Sequence, residues 1–202
     1  DLVILFMICR SRRSTSTSVH TSRSQFWATE NRYSDVSAGQ WYNNAVSTMT
    51  RAGVVNGYPD GTFRPNAPIT RAEFAAMIAR FDETAKSADT PFTDISGHWA
   101  EYEIKRAASL GWISGYINGT FAPNQSITRA EAMSIINRVL QRLPESEDDL
   151  LPGMKTWTDN ANTRAWYYLA VQEATNSHDF VYKDATYETW TALTRNPDWT
   201  QY

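Results

Sequence analysis

The sequence predicts a mainly α-helical protein assembled from repeated helix–loop–helix units. Three observations lead there. The stretch Gly57 to Glu73 recurs as Gly115 to Glu131, 58 positions later. The same step relates Trp41 to Trp99 and Arg80 to Arg138. Each copy also ends in Thr-x-x-Glu immediately before an apolar run of helical period, and recurrence on this scale is the mark of stacked repeats.

Within each copy the loop comes first. Gly57 and Gly115 are expected to close the preceding helix at positive φ. Pro59-Asp60-Gly61 and Ile117-Asn118-Gly119 are turn sequences, with Asp or Asn ahead of Gly. Phe63 and Phe121 serve as anchors tying the loop to a core, and Pro65-Asn66 and Pro123-Asn124 supply a second bend. Thr70 to Glu73 and Thr128 to Glu131 then read as capping boxes, the Thr hydroxyl accepting from the N3 amide and the Glu accepting from the cap's own amide.

The helices follow in order. In a first repeat, 33–81, a helix from Trp41 to about Ala52 presents Val46 and Met49 on one face. Its second helix repeats Phe74, Met77, Ile78 and Phe81 at i, i+3, i+4 and i+7. A small, polar linker, 82–91, leads to a second repeat, 92–140. There Trp99, Ile104, Ala107 and Leu110 mark helix one, and Ile135, Ile136 and Val139 mark helix two. Glu101, Glu103, Lys105 and Arg106 read as a solvated face. An acidic linker, 141–156, precedes a partial, divergent unit at 157–202. Trp157-Thr158-Asp159 matches Phe92-Thr93-Asp94, and Trp166-Tyr167-Tyr168 stands where Trp99 opens its helix. That helix is expected to continue through Leu169, Val171 and Ala174 towards His178. The glycine loop and the Thr-Arg-Ala-Glu element are missing from this unit, whose end, through Glu188-Thr189-Trp190-Thr191 and Pro197-Asp198-Trp199, reads as an aromatic cap.

Residues 1–32 are expected to be a disordered or degraded segment. Leu2 to Cys9 is too short an apolar run to span a bilayer. Arg10, Arg12, Arg13 and Arg23 follow that run, the reverse of signal-peptide order. Without an initiating Met, the chain reads as a fragment, and residues 1–10 as the remnant of an earlier repeat's second helix.

Composition narrows the function classes. A net charge of −3 over 202 residues gives no basic surface for nucleic acid, and no membrane insertion is expected. Cys9 is the sole cysteine, so no disulfide framework exists. The 8 Trp, 10 Tyr and 8 Phe are plentiful enough both to fill a core and to offer faces to sugars. His20, His98 and His178 lack cysteine partners and metal-ligand spacing, and His178 reads as a helix C-terminal residue. No serine stands in a nucleophile elbow, and Glu73 and Glu131 are committed to capping. The expectation is a non-catalytic chain with no cofactor and no metal.

Arg71 and Arg129 sit at the first helical position after their capping threonines, beside the positive end of the helix macrodipole. Two readings stand. Each guanidinium binds a carboxylate or phosphate at the helix mouth, or each pairs with a nearby acid or with carbonyls of the adjoining repeat. The residues alone favour the second.

The runs Asp94…His98-Trp99-Ala100, Gly111-Trp112-Ile113-Ser114-Gly115-Tyr116, Gly119-Thr120-Phe121-x-Pro123 and Ile127-Thr128-Arg129-Ala130-Glu131 resemble the S-layer homology domain. The first copy resembles it equally, through Tyr33-Ser34-Asp35-Val36, Trp41, Gly53 to Tyr58 and Ile69-Thr70-Arg71-Ala72-Glu73. The resemblance covers about half the chain and departs from the family at Asn118, which replaces the usual Asp, and throughout the third unit. It implies a pseudo-threefold helical bundle, here two full repeats plus two halves. It further implies an extracellular wall anchor at the bacterial cell surface, binding an acidic secondary cell wall polysaccharide, often pyruvylated, in grooves between repeats. The Arg of Thr-Arg-Ala-Glu is a ligand contact in that family, which shifts the expectation for Arg71 and Arg129 to ligand binding. Asp60, Gly61 and Gly119 join them as loop contacts. Trp41 and Trp99 are groove-lining candidates, although a Trp at a helix start more often belongs to the core. A protein–protein or self-assembly module of a surface layer, and a fragment of a glycan hydrolase, are the alternatives.

Overall fold

The computed structural model describes residues 32–82 and 84–195. Among them run five α-helices: α1 (Asn43–Arg51), α2 (Arg71–Ala79), α3 (Glu101–Ser109), α4 (Arg129–Leu140) and α5 (Tyr168–Thr175). A hairpin of β1 (His178–Tyr182) and β2 (Glu188–Leu193) follows. The protein is mainly helical, and no helix among the described residues is long and apolar enough to cross a membrane. The reading of residues 1–10 as a remnant helix lies outside the described residues, as does Pro197-Asp198-Trp199.

Both capping boxes form. The Thr70 hydroxyl accepts from the Glu73 amide while Glu73 accepts from the Thr70 amide at 2.8 Å, and Thr128 and Glu131 repeat the exchange. These reciprocal bonds satisfy amides that a helix start leaves without intrahelical partners. The first helices begin differently, with no side-chain cap at Tyr42 or Ala100. Burial of one face holds them, through Val46 and Met49 in α1 and Ile104 and Ala107 in α3.

The expectation for Gly57 and Gly115 needs correction. Helices α1 and α3 end earlier, where Gly53 (φ 73°) and Gly111 (φ 71°) leave them. Gly57 has the expected positive φ (66°) and Gly115 does not, and both serve close approach rather than helix closure. A Cβ on Gly57 would lie 2.3 Å from the Tyr33 ring, and one on Gly115 would lie 2.6 Å from the Phe92 ring and 2.5 Å from the Thr120 carbonyl oxygen. Each glycine lets an aromatic ring of its own repeat's opening segment approach the loop closely.

Packing alternates between units. Helix α2 of the first repeat lies against α3 of the second, and α4 of the second lies against α5 of the third. One continuous core joins Met49, Phe74 and Ile78 to Ile104, Trp112, Phe121, Ile135 and Ile136. Polar ties run alongside it. Arg80 donates to the Val54 carbonyl, and the Asn137 amide donates to the Ala170 carbonyl at 2.9 Å. Arg106, expected on a solvated face, is buried and donates to the Ala79 carbonyl across the α2–α3 seam. Its neighbour Lys105 stays at the surface in an ion pair with Glu101.

The third unit departs from helical expectation. Helix α5 stops at Thr175, and His178 opens a strand. The hairpin pairs His178 with Leu193 and Tyr182 with Glu188, with an irregularity between Asp179 and Phe180. Without a glycine loop and capping box, no second helix is initiated among the described residues of this unit. Phe180, Val181, Tyr182 and Trp190 are residue types that suit a pleated surface instead. Within 141–156, expected as an acidic linker, Glu147–Asp149 forms a short 3-10 turn. Buried Asp149 accepts from the amides of Glu145 and Ser146 and pairs with Lys183, fastening this segment to the hairpin.

Candidate functional site

The junction between the repeats is built from the two Thr-Arg-Ala-Glu elements and the loop before the second. A single antiparallel bridge joins Thr70 to Ser126, and the Ile127 amide donates to the Ile69 carbonyl at 3.0 Å. At the N-terminus of α2 the Arg71 amide donates to the Gln125 carbonyl (2.8 Å) and the Ala72 amide to the Pro123 carbonyl (3.0 Å). Amides that would cradle an anion are thus taken by carbonyls of the adjoining repeat.

Arg71 shares that fate. Its side chain is 6% exposed. Nε donates to the Phe121 carbonyl at 2.8 Å, Nη1 to Glu131 Oε1 at 2.6 Å and Nη2 to the Ser114 carbonyl at 3.1 Å. The rings of Tyr116 and Phe121 lie within 4.8 Å of its Cζ. Arg71, expected to bind an anionic ligand, is engaged internally here: it clamps the second repeat to the first. Only tertiary contact creates this clamp, because Glu131 and the Phe121 and Ser114 carbonyls lie 43 to 60 positions away.

Arg129, the matching residue of the second repeat, is exposed at the start of α4. The two arginines share a motif and differ in surroundings.

Asp60 and Asn118 do the same turn work. Each side-chain oxygen accepts from the amide and hydroxyl of the Thr two residues on. The Thr62 hydroxyl and the Arg64 guanidinium hold the Asp60 pKa at about 2. Arg64 pairs with Asp60 at 2.7 Å and stacks over the Tyr58 ring, so the first loop carries an exposed ion pair where the second has Ala122. Gly61 and Gly119 occupy the left-handed turn position beside them. Asp35 and Asp94 clip the loops from below, each accepting two backbone amides, from Phe63 and Arg64 and from Phe121 and Ala122.

Trp41 and Trp99 are 62% and 64% exposed, so neither is a core residue. Trp166, at the corresponding place in the third unit, is 66% exposed. Sequence reasoning aligned Trp166 with Trp99 yet did not choose it as a site residue; its register was the available signal. His98 stands beside Trp99, ring centroids 5.5 Å apart, and its Nε2 lies 3.2 Å from Asn124 Oδ1 in the loop that leads to Arg129. Indole faces beside hydrogen-bonding groups suit the C–H faces and hydroxyls of a sugar.

Residues 32–75 and 91–133 match the family model of the S-layer homology domain. Over 164 residues the chain is 35% identical to Cell surface glycoprotein 1 of Acetivibrio thermocellus, covering 75% of this chain and 7% of that protein. It is 34% identical to the Cellulosome-anchoring protein of the same organism, covering 73% of this chain and 33% of that one. An S-layer protein of Bacillus licheniformis is 35% identical over 48% of this chain and 11% of its own length. The chain thus spans a third or less of each of these relatives. The two repeats are members of the S-layer homology family.

Proposed function

We propose that these S-layer homology repeats form a non-catalytic anchoring module, acting outside the cell at the bacterial wall. Its ligand is an acidic secondary cell wall polysaccharide, pyruvylated forms included. The observation that supports this reading is the set of exposed indoles at equivalent helix starts, Trp41, Trp99 and Trp166. Three solvent-facing Trp side chains leave apolar area in water that a folded monomer gains nothing by exposing, and a sugar face covers it. Arg129 supplies the cation that an acidic glycan needs, while Arg71 holds the repeats in register.

The packing of α2 on α3 and of α4 on α5 supports a pseudo-threefold arrangement in which each unit's first helix rests on the preceding unit's second. Names among the relatives point the same way: one is called a Cellulosome-anchoring protein. Others bear enzyme names, Endoglucanase and Amylopullulanase, with the match confined to 15% and 6% of their lengths. A small shared portion fits a portable anchor better than a catalytic domain.

A co-sedimentation assay with purified wall polysaccharide, native and chemically depyruvylated, tests the proposal. Retention on the native polymer and weaker retention on the treated one is the expected result. Equal failure on both polymers, together with concentration-dependent oligomers in the absence of glycan, would replace anchoring by self-assembly.

A further inference from the structure

Where the third unit folds back on α4, four polar side chains converge under the hairpin. Glu173 comes from α5, His178 from β1, Glu188 from β2, and Arg142 from just past the end of α4. Glu173, His178 and Glu188 are buried, and one ligand atom from each lies within 4.8 Å of the others. His178 Nε2 is 3.2 Å from Glu173 Oε2 and 3.2 Å from Glu188 Oε1. Nitrogen and oxygen ligands of a tetrahedral Zn²⁺ at about 2.0–2.1 Å lie about 3.4 Å apart, so both spacings match the edge of such a shell.

The surroundings orient these ligands. His178 Nδ1 lies 2.8 Å from the Asn176 carbonyl oxygen and donates to it, which turns Nε2 inward. The Trp190 indole stacks on the imidazole at 4.0 Å, and its Nε1 donates to Glu173 Oε2 at 2.7 Å. A histidine anchored through its other nitrogen and a carboxylate held by a donor are the outer-shell supports that metal ligands ordinarily have.

Arg142 fills the centre imperfectly. Its Nη2 lies 3.0 Å from Glu173 Oε1 and 2.5 Å from His178 Nε2. Two N–H donors do not share so short a contact, so Nε2 must present a lone pair there. The guanidinium also leaves buried atoms unmatched: Arg142 Nε and Glu188 Oε2 face each other at 3.7 Å, and neither has a hydrogen-bond partner. Buried polar atoms without partners are costly and call for an explanation.

We propose that Glu173, His178 and Glu188 form a divalent transition-metal site, with Zn²⁺ the fitting ion, that fastens the hairpin to the helices. The ion takes up the Nε2 lone pair and one oxygen of each carboxylate, and any proton on Nε2 leaves to solvent. Arg142, whose side chain is 22% exposed, turns outward and yields its place. Two carboxylates and a neutral imidazole then neutralise the ion.

The test uses the full chain carrying Cys9→Ser, His20→Gln and His98→Gln, which leaves His178 as the last of its 3 histidines. Zn²⁺ is titrated calorimetrically, and Co²⁺ is followed by its visible spectrum. One equivalent should bind, with an absorption band of tetrahedral Co²⁺. Arg142→Gln removes the competing cation and should tighten Zn²⁺ binding about tenfold, within the range by which outer-shell changes move metal affinity. A purely structural role for Arg142 predicts loss of stability and no such gain. His178→Gln should abolish uptake; if that variant does not fold, the Arg142→Gln titration decides alone. Absence of stoichiometric binding in both the parent and Arg142→Gln overturns the proposal, as does uptake that survives in folded His178→Gln.

Discussion

Arg71 donates to Glu131 at 2.6 Å, and the two residues occupy the second and fourth places of the same four-residue element in successive repeats. A single short motif thus provides both halves of an inter-repeat ion pair. Glu131 serves three partners at once, accepting from its own capping threonine, from Tyr116 and from Arg71. Glu73 has the first two, Thr70 and Tyr58, and lacks a preceding repeat's arginine among the described residues.

Removing one half of a buried pair strands the other, at a cost of about 3–5 kcal/mol. Arg71→Ala is therefore expected to lower the melting temperature by about 10 °C, given the few degrees that each kcal/mol moves a chain of this size. Arg129→Ala, at an exposed position, should stay within about 0.5 kcal/mol of the parent while weakening glycan binding. Paired thermal melts and binding isotherms for both variants check this. An Arg71→Ala protein as stable as the parent would contradict the clamp.

The indoles offer a complementary contrast. Trp41→Ala, Trp99→Ala and Trp166→Ala should each leave the melting temperature nearly unchanged, because all three side chains are well over half exposed. Glycan affinity should fall about tenfold for at least one of them, in line with an exposed aromatic contact worth roughly 1 kcal/mol or somewhat more. Quenching of Trp fluorescence during titration with polysaccharide reads the effect directly.

Acid should loosen the repeats. Burial works against charge on Glu131, but the Thr128 amide and hydroxyl and then Arg71 outweigh it and hold the pKa below 4.5; Glu73 is lowered likewise by Thr70 and Tyr58. A carboxylate with a depressed folded-state pKa contributes stability that is complete above its unfolded value and lost as pH falls through the folded one. Denaturant unfolding should therefore show stability declining below about pH 4.5. Glu131→Gln should flatten that decline. An unchanged slope would take Glu131 out of the acid response.

Gly115 carries a steric constraint and no positive φ. Gly115→Ala should destabilise by about 1–3 kcal/mol through overpacking against Phe92 and the Thr120 carbonyl. Trimming the ring with Phe92→Ala in the same chain should remove part of the added penalty. Chemical denaturation of the single and double variants measures the coupling, and strict additivity would argue against the contact.

How far the sequence reached can be seen residue by residue. The capping boxes at Thr70 and Thr128 were legible because their bonds span only three residues. The repeated helix–loop–helix plan was legible because the hydrophobic period and the turn residues are local properties of the chain. Asn118 in place of Asp60 changed nothing in the turn, since one side-chain oxygen is all that turn requires.

What the sequence alone determined, then, was the repeating unit, its helix starts and the family it belongs to. Tertiary structure decided what each copy of a motif does: identical Thr-Arg-Ala-Glu elements yield a buried clamp at Arg71 and an exposed cation at Arg129. It also drew His178 out of the expected helix and into a cluster with Glu173 and Glu188, with Arg142 arriving 36 positions away in sequence. The physical reason is the same in both cases. Capping and periodicity act over one or two turns of chain, whereas burial and ion pairing depend on which distant segment covers a given side chain.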